Sequence, residues 1–234
     1  MLLLQVALIF LPLRITGQSE MPSVDDLLAA HREALGGDRI ADINYVYLEK
    51  EVVSGNYKAQ QQIWLHVDTA IAAKTQTFGQ TITMVYDRAA EDAWQINPYL
   101  NTGELPADLD QKGRLQLQLQ MAVFGPLYQP GKDTKLSLKE VKETRKHTYY
   151  VIEATYASGF QEQLYIDSET HLIDRVVNKL GTTYFQDYRT YGGVQFPTYA
   201  ETSSSQGTMI IRTSQITLNA PETADYSFER PSKR

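Results

Sequence analysis

Between residues 164 and 197 the chain reads LYIDSETHLIDRVVNKLGTTYFQDYRTYGGVQFP. Runs of β-branched and aromatic residues alternate there with short polar turns. Leu164, Tyr165 and Ile166 stop at Asp167, Ser168, Glu169 and Thr170, residues 171–180 stop at Gly181, and residues 183–188 are parted from the next run by Gly192 and Gly193. The turns leave no room for crossover helices, so consecutive runs must pair as antiparallel neighbours. Nothing in the stretch carries a catalytic signature, which directs the search for function to the shape of a sheet rather than to a reactive side chain.

The same grammar extends in both directions. Ser23 is placed to cap a helix, with Asp25 and Asp26 in its first turn, and Val24, Leu27, Leu28, His31 and Leu35 fall on one face at helical spacing. Gly36 and Gly37 end that helix, and 38–43 adds a short helical turn. Strand patterns follow at 44–54, 57–67, 69–78, 80–87 and 91–96, then a loop at 97–106. In 107–124, Leu115, Leu117, Leu119 and Met121 alternate with Gln, which is strand period. Yet Leu, Gln and Met favour helix, and Asp108, Asp110, Gly125 and Pro126 supply helix punctuation, so the segment is expected to be a helix that is apolar on more than one face. Strand patterns resume at 135–144, 146–156, 159–167, 171–180, 182–190, 195–204 and 208–218, before a tail at 220–231. The expectation is a mainly β (α+β) domain over 20–234, with a single curved antiparallel sheet of about 11 strands and two helices.

Composition narrows the function classes. Residues 2–13 form an apolar run broken by Gln5, too short for a bilayer, which needs roughly 20 residues, but suited to the apolar core of a secretory signal. Gly17 and Ser19 supply the small residues of a cleavage site, so 1–19 reads as a signal peptide and the mature chain as an exported, soluble periplasmic protein. Removing 1–19 leaves 21 Lys and Arg against 28 Asp and Glu, a net charge of −7, which argues against nucleic acid as a partner. With no cysteine, disulfides, thiolate metal sites, thiol catalysis and lipid attachment at an N-terminal Cys are excluded.

No motif for chemistry survives inspection. GPLYQPGKD at 125–133 has five residues between its glycines, Asp133 where a phosphate loop needs Ser or Thr, and prolines that remove amide donors. His31, His66, His147 and His171 share no metal-ligand spacing, and no serine sits in a GxSxG elbow. No catalytic residue, metal or cofactor is expected. The aromatic residues are more telling, because the 15 Tyr, 7 Phe and 2 Trp sit largely in strand runs. A sheet of this many strands must curl, and with only two helices to cover it an apolar cavity can remain.

The order of elements, together with several local motifs, resembles the LolA-like lipoprotein carrier superfamily, in particular outer-membrane lipoprotein-sorting homologues. The motifs are Leu27, Leu28, Ala29, Ala30 and His31 leading to Leu35, Gly36 and Gly37, followed by Ile40 and Ile43. Later come Phe124, Gly125, Pro126 and Leu127, then 165–170, Asp187, Tyr188 and Arg189 with 193–197, and 218–221 with Phe228 and Pro231. The resemblance implies an incomplete, strongly curved antiparallel β-barrel with helices covering its open side. It also implies an apolar interior that takes acyl chains of a lipid or lipoprotein, and membrane-bound donor or acceptor proteins as partners. The arginine with which sorting carriers hold a helical lid has no aligned counterpart; Arg39, Arg88 and Arg114 are the nearest possibilities. On this reading Trp64, Phe78, Tyr86, Trp94, Leu117, Met121, Phe124 and Phe185 line the cavity and its lid. The rival readings are an envelope interaction module without a ligand cavity, and a small hydrolase in a cone-shaped fold. N-terminal sequencing of the exported protein is expected to begin at Glu20; an intact Met1 recovered from the cytoplasmic fraction would overturn export.

Overall fold

Strand alternation divides the chain into two chemically different faces, and a computed structural model shows how they are arranged; it describes residues 21–219 and 228–231, apart from the Leu119 side chain. The expected leader at 1–19 and the tail segment 220–227 lie outside these residues. The first meander comprises β1 (Tyr45–Ser54), β2 (Tyr57–His66), β3 (Ala70–Thr77), β4 (Gln80–Asp87), β5 (Asp92–Ile96) and β6 (Ala107–Asp108). The second comprises β7 (Lys135–Glu143), β8 (Thr148–Thr155), β9 (Gln161–Asp167), β10 (Ile173–Asn178), β11 (Gly181–Tyr191), β12 (Val194–Ser204) and β13 (Gly207–Leu218).

All pairings are antiparallel, and the 13 strands run β6-β5-β4-β3-β2-β1-β13-β12-β11-β10-β9-β8-β7. Strands β6 and β7 stay unpaired with each other, so the sheet is an open half-barrel. The twelve long strands stand where the residue pattern predicts them. The thirteenth is β6, two residues that add to the edge of β5 through the pairs Trp94↔Asp108 and Gln95↔Ala107. That edge pairing also shortens the expected helix at 107–124. Its first residues extend the sheet, and Asp110 then caps α2 (Gln111–Met121) by accepting from the Gly113 amide at 2.7 Å.

Helix α1 (Val24–Leu35) starts as its sequence dictates. Ser23 Oγ accepts from the Asp26 amide at 3.1 Å while the Asp26 carboxylate accepts from the Ser23 amide, forming a capping box. At the other end Gly36 is required by space, since a Cβ there would lie 2.9 Å from the Gly193 carbonyl oxygen in the β11–β12 turn. Leu27, His31 and Leu35 form the buried stripe. His31 Nδ1–H donates to the His171 carbonyl at 2.7 Å, and burial pushes the imidazole pKa down, so the ring is a neutral core group that ties α1 to the β9–β10 turn. That turn is built by Asp167. Its Oδ1 accepts from the amides of Glu169 and Thr170, which gives the Asp-Ser-Glu-Thr sequence its structural meaning.

The seam between the meanders is β1 against β13, from Val46↔Leu218 to Ser54↔Met209. Asn219 locks its end: Oδ1 accepts from the amides of Asn44 (2.9 Å) and Tyr45 (3.2 Å), and Nδ2 donates to the Asp42 carbonyl at 2.8 Å. Asn219 sits at φ 50°, a left-handed conformation that Asn tolerates better than Ala. On the convex face, Tyr45, Trp64, Ala72, Val85 and Trp94 form a cluster against which Phe228 packs. Trp94 Nε1–H donates to the Phe228 carbonyl at 3.2 Å, and Arg230 clamps Asp92 with two bonds and Asp108 with a third.

Two consequences can be measured. Asn219→Ala loses three hydrogen bonds and strains the backbone, so urea unfolding should show a loss of about 2–3 kcal/mol, with Asn219→Gly losing less because it keeps the conformation. A loss under about 0.5 kcal/mol would mean that Asn219 does not hold the seam. Truncation after Asn219 should uncover Trp64 and Trp94 and shift tryptophan emission to the red; unchanged emission would mean that the 228–231 segment does not cover them.

Candidate ligand-binding concavity

The concave face is apolar because one phase of every strand supplies it. Val46 and Leu48 on β1, Ile63 and Leu65 on β2, Ile71 and Ala73 on β3, Ala93 on β5 and Ile216 on β13 form one buried cluster with Leu117, Met121 and Phe124. Helix α2 packs on β3 and β4 over this cluster. Beside it, a second concave cluster of Leu27, Leu127, Ile152, Leu164, Ile166, Ile173 and Val176 lies under α1, with Phe185 half-buried against it. The 122–128 segment bridges the two: Phe124 packs on Phe196 and Tyr128, at 5.8 and 5.3 Å between ring centroids, while Leu127 reaches the second cluster.

Helix α2 is loosely fastened by polar contacts. Gln118 Nε2 donates to the Tyr86 hydroxyl at 3.0 Å, and Arg114 bonds only its neighbour, the Leu109 carbonyl. The side-chain carbonyl of Gln120 is buried without a hydrogen-bond partner, a cost of about 1–3 kcal/mol. At 11 residues with a glycine inside, α2 is too short to be stable in isolation, so its order depends on burying Leu117 and Met121. Such a helix can leave its seat for little more than the free energy of its apolar contacts.

Of the residues proposed from sequence, the structure brings together Tyr86, Leu117, Met121 and Phe124, and it places Phe185 in the adjoining cluster. It does not bring Trp64, Trp94 and Phe78 there. Trp64 and Trp94 are in the opposite strand phase to Ile63 and Ala93 and belong to the convex cluster under Phe228. Phe78, at φ 47°, ends β3 on the turn and is 76% exposed, its ring edge-on to Tyr57. None of the three faces α2, because period-2 alternation sends neighbouring residues to opposite faces and the sequence alone does not say which face is closed.

Sequence reasoning missed a polar row that borders the apolar floor. Lys50 follows Val46 and Leu48 in the concave phase of β1 and stands directly between Thr213 of β13 and Gln61 of β2. Gln61 in turn faces Thr75 and donates to its hydroxyl at 3.2 Å. Lys50 has no hydrogen-bond or ion-pair partner among the described residues, and desolvation by the surrounding protein lowers its pKa to about 8. Its residual exposure is intermediate, so the side chain is not sealed in the core. The sequence signal was there: a lone charge in register with Val46, Leu48 and Val52.

At the rim of the second cluster the Tyr156 hydroxyl donates to the Glu162 carboxylate. His147 Nδ1 lies 3.0 Å from Asp167 Oδ2, but the pair is on the convex side, with His147 half-exposed and Asp167 committed to its turn. No cluster of three metal-ligating side chains occurs among the described residues. A depression of about 340 Å³ between the β8–β9 turn and β10 is lined by polar groups such as Glu153, Gln163 and Lys179 on that same convex side, so it does not communicate with the apolar floor.

No protein-family profile and no curated protein sequence matches the chain. Solved structures do. A LolA superfamily protein from Nitrosomonas europaea superposes with a TM-score of 0.59 at 13% identity, over 86% of this chain and 96% of that one. A DUF1329 family protein from Desulfovibrio piger follows with a TM-score of 0.51 at 11% identity, over 89% of this chain and 98% of that one. At these identities the likeness is one of architecture, and it spans nearly the full length of both relatives. The open 13-stranded half-barrel with helices over its concave side is a LolA-like fold.

Proposed function

We propose that the protein is a non-catalytic, periplasmic carrier or sensor that binds acyl chains of a lipid or lipoprotein beneath α2. The observation that supports this reading most directly is the seating of α2: a short, poorly fastened helix over the apolar floor of an open sheet. Displacing it exposes Leu48, Ile63, Ala73 and Met84, and an acyl chain then replaces the contacts of Leu117 and Met121. Each methylene buried there contributes about 0.8 kcal/mol, so one partly inserted chain supports micromolar binding once association costs are met. Unbranched Met121 and Met84 adapt to chains of different shape. Among the described residues no helix is long and apolar enough to cross a membrane. Exchange of cargo with membrane-bound donor or acceptor proteins belongs to the same reading.

One observation favours a second reading. Leu117, Met121 and Phe124 are already buried on the floor, which suits an envelope interaction module whose interior stays shut. The two readings part in a binding assay. Leu117→Asp with Met121→Asp places charges that must be desolvated at a cost of several kcal/mol, so retention of a fluorescent fatty acid should be lost while circular dichroism still reports a folded sheet. In an otherwise cysteine-free chain, Gln118→Cys and Tyr86→Cys bridged by a short bis-maleimide should slow uptake by holding the helix down. Probe fluorescence is the readout, since Trp64 and Trp94 lie on the other face. Unchanged probe binding in both folded variants would mean that no lipid site lies under α2, and no uptake by the folded wild type would favour the closed module.

A further inference from the structure

We infer that Lys50 is the anchor for an anionic headgroup, so that the ligand of the concave face is an acidic amphiphile, carrying a carboxylate or phosphate, rather than a neutral lipid. The inference rests on the acyl-binding reading above and adds the polarity of the ligand to it.

The row Thr213, Lys50, Gln61, Thr75 crosses four adjacent strands, β13, β1, β2 and β3, at one level of the sheet. The row next below it is Ile216, Leu48, Ile63, Ala73, all buried apolar side chains. Two residues along a strand are about 7 Å, so a headgroup on Lys50 puts the first methylenes of its chain directly on the apolar floor. The donors suit an anion: an ammonium, a primary amide and two hydroxyls stand together, and no carboxylate shares the row. The charges nearest along β1 are turned away. Glu51 faces the convex side, where it bonds Lys58 and Arg212, and Glu49 accepts there from the Tyr47 hydroxyl.

A second feature marks the same place. The β1–β13 register slips between Glu49 and Lys50, where Ser214 is the extra residue on β13 and its hydroxyl donates to the Glu49 carbonyl. Bulges of this kind re-aim side chains and gather at binding sites. A desolvated lysine with no counter-ion is costly, since charged groups away from water are ordinarily paired. Desolvation holds its pKa near 8, well below the usual lysine value, and an anion bound beside the ammonium would raise it again. The folded state thus binds this proton less readily than the unfolded chain, and the ammonium opposes folding at neutral pH.

The test compares a fluorescent long-chain fatty acid with the alcohol of the same chain. The wild-type protein should bind the acid about tenfold or more tightly than the alcohol. Lys50→Gln should bring the acid to the affinity of the alcohol, leave the alcohol unchanged, and raise the melting temperature by removing an unpaired charge. Acid and alcohol binding equally to the wild type would overturn the anchor while leaving the acyl-binding reading in place, as would a Lys50→Gln protein that keeps the preference. Neither probe binding to the folded wild type would overturn the acyl-binding reading itself. Inorganic phosphate that displaces the fatty acid at a concentration near the acid's own Kd would assign the row to a free anion and overturn the amphiphile. If Lys50→Gln does not fold, the acid–alcohol comparison on the wild type decides alone.

Discussion

The architecture depends on one strand pairing, β1 with β13. Each meander is built from local pairings between consecutive strands, and this pairing joins the two into one sheet. The β1–β13 seam joins residues some 170 positions apart, Val46 to Leu218 among them. It therefore carries the largest loop-closure cost of any pairing in the sheet. Asn219 offsets part of that cost at the point where the strands meet, satisfying two amides and one carbonyl at the mouth of the seam. With no disulfide to restrict the unfolded chain, the seam must be held by hydrogen bonds and burial alone.

That seam decides where the connection between the two meanders runs. Once β1 and β13 are central, β6 and β7 become the two outer edges, and the chain between them has to travel from one edge of the half-barrel to the other. It does so as α2 and the 122–134 segment, across the concave side. A helix in this position cannot be replaced by a strand without closing the barrel, and it cannot be removed without baring the floor. Its polar fastening is slight, so the same connection that completes the fold is also the part with the least to lose by opening.

The strands were legible in the sequence because turn residues and period-2 runs are local signals, and the twelve long strands follow them closely. Helix α1 was equally plain, since Ser23, the Leu27–His31–Leu35 stripe and the paired glycines all agree. The faces were harder. Trp64 and Trp94 looked like cavity residues by size, yet they alternate with Ile63 and Ala93 and so belong to the opposite surface. Only the position of α2, a non-local fact, says which phase of each strand is inside. Lys50 shows the reverse case: once the inside phase is known, a single charged residue in that phase stands out more than any aromatic ring.

The two faces are finished by different physics. On the convex side, large rings are capped by cations and by the chain's own tail. Arg175 lies 4.1 Å from the Tyr165 centroid and 5.2 Å from that of Tyr149, Lys74 covers Trp64, and Phe228 with Arg230 covers Trp94. Each such cap gives an aromatic surface a polar exterior, so it presents no continuous apolar area to a lipid. On the concave side one such contact occurs among the described residues, Arg32 of α1 at 6.0 Å from the Tyr128 centroid. Its rings and aliphatic chains are otherwise covered by α1, the helical turn at 37–43, α2 and the 122–128 segment, and the row that carries Lys50 includes no carboxylate. An acyl chain gains nothing on the first surface that water does not already offer. On the second, the acyl chain of the proposed ligand would exchange with α2 contact for contact, and its acidic end would meet the Lys50 ammonium.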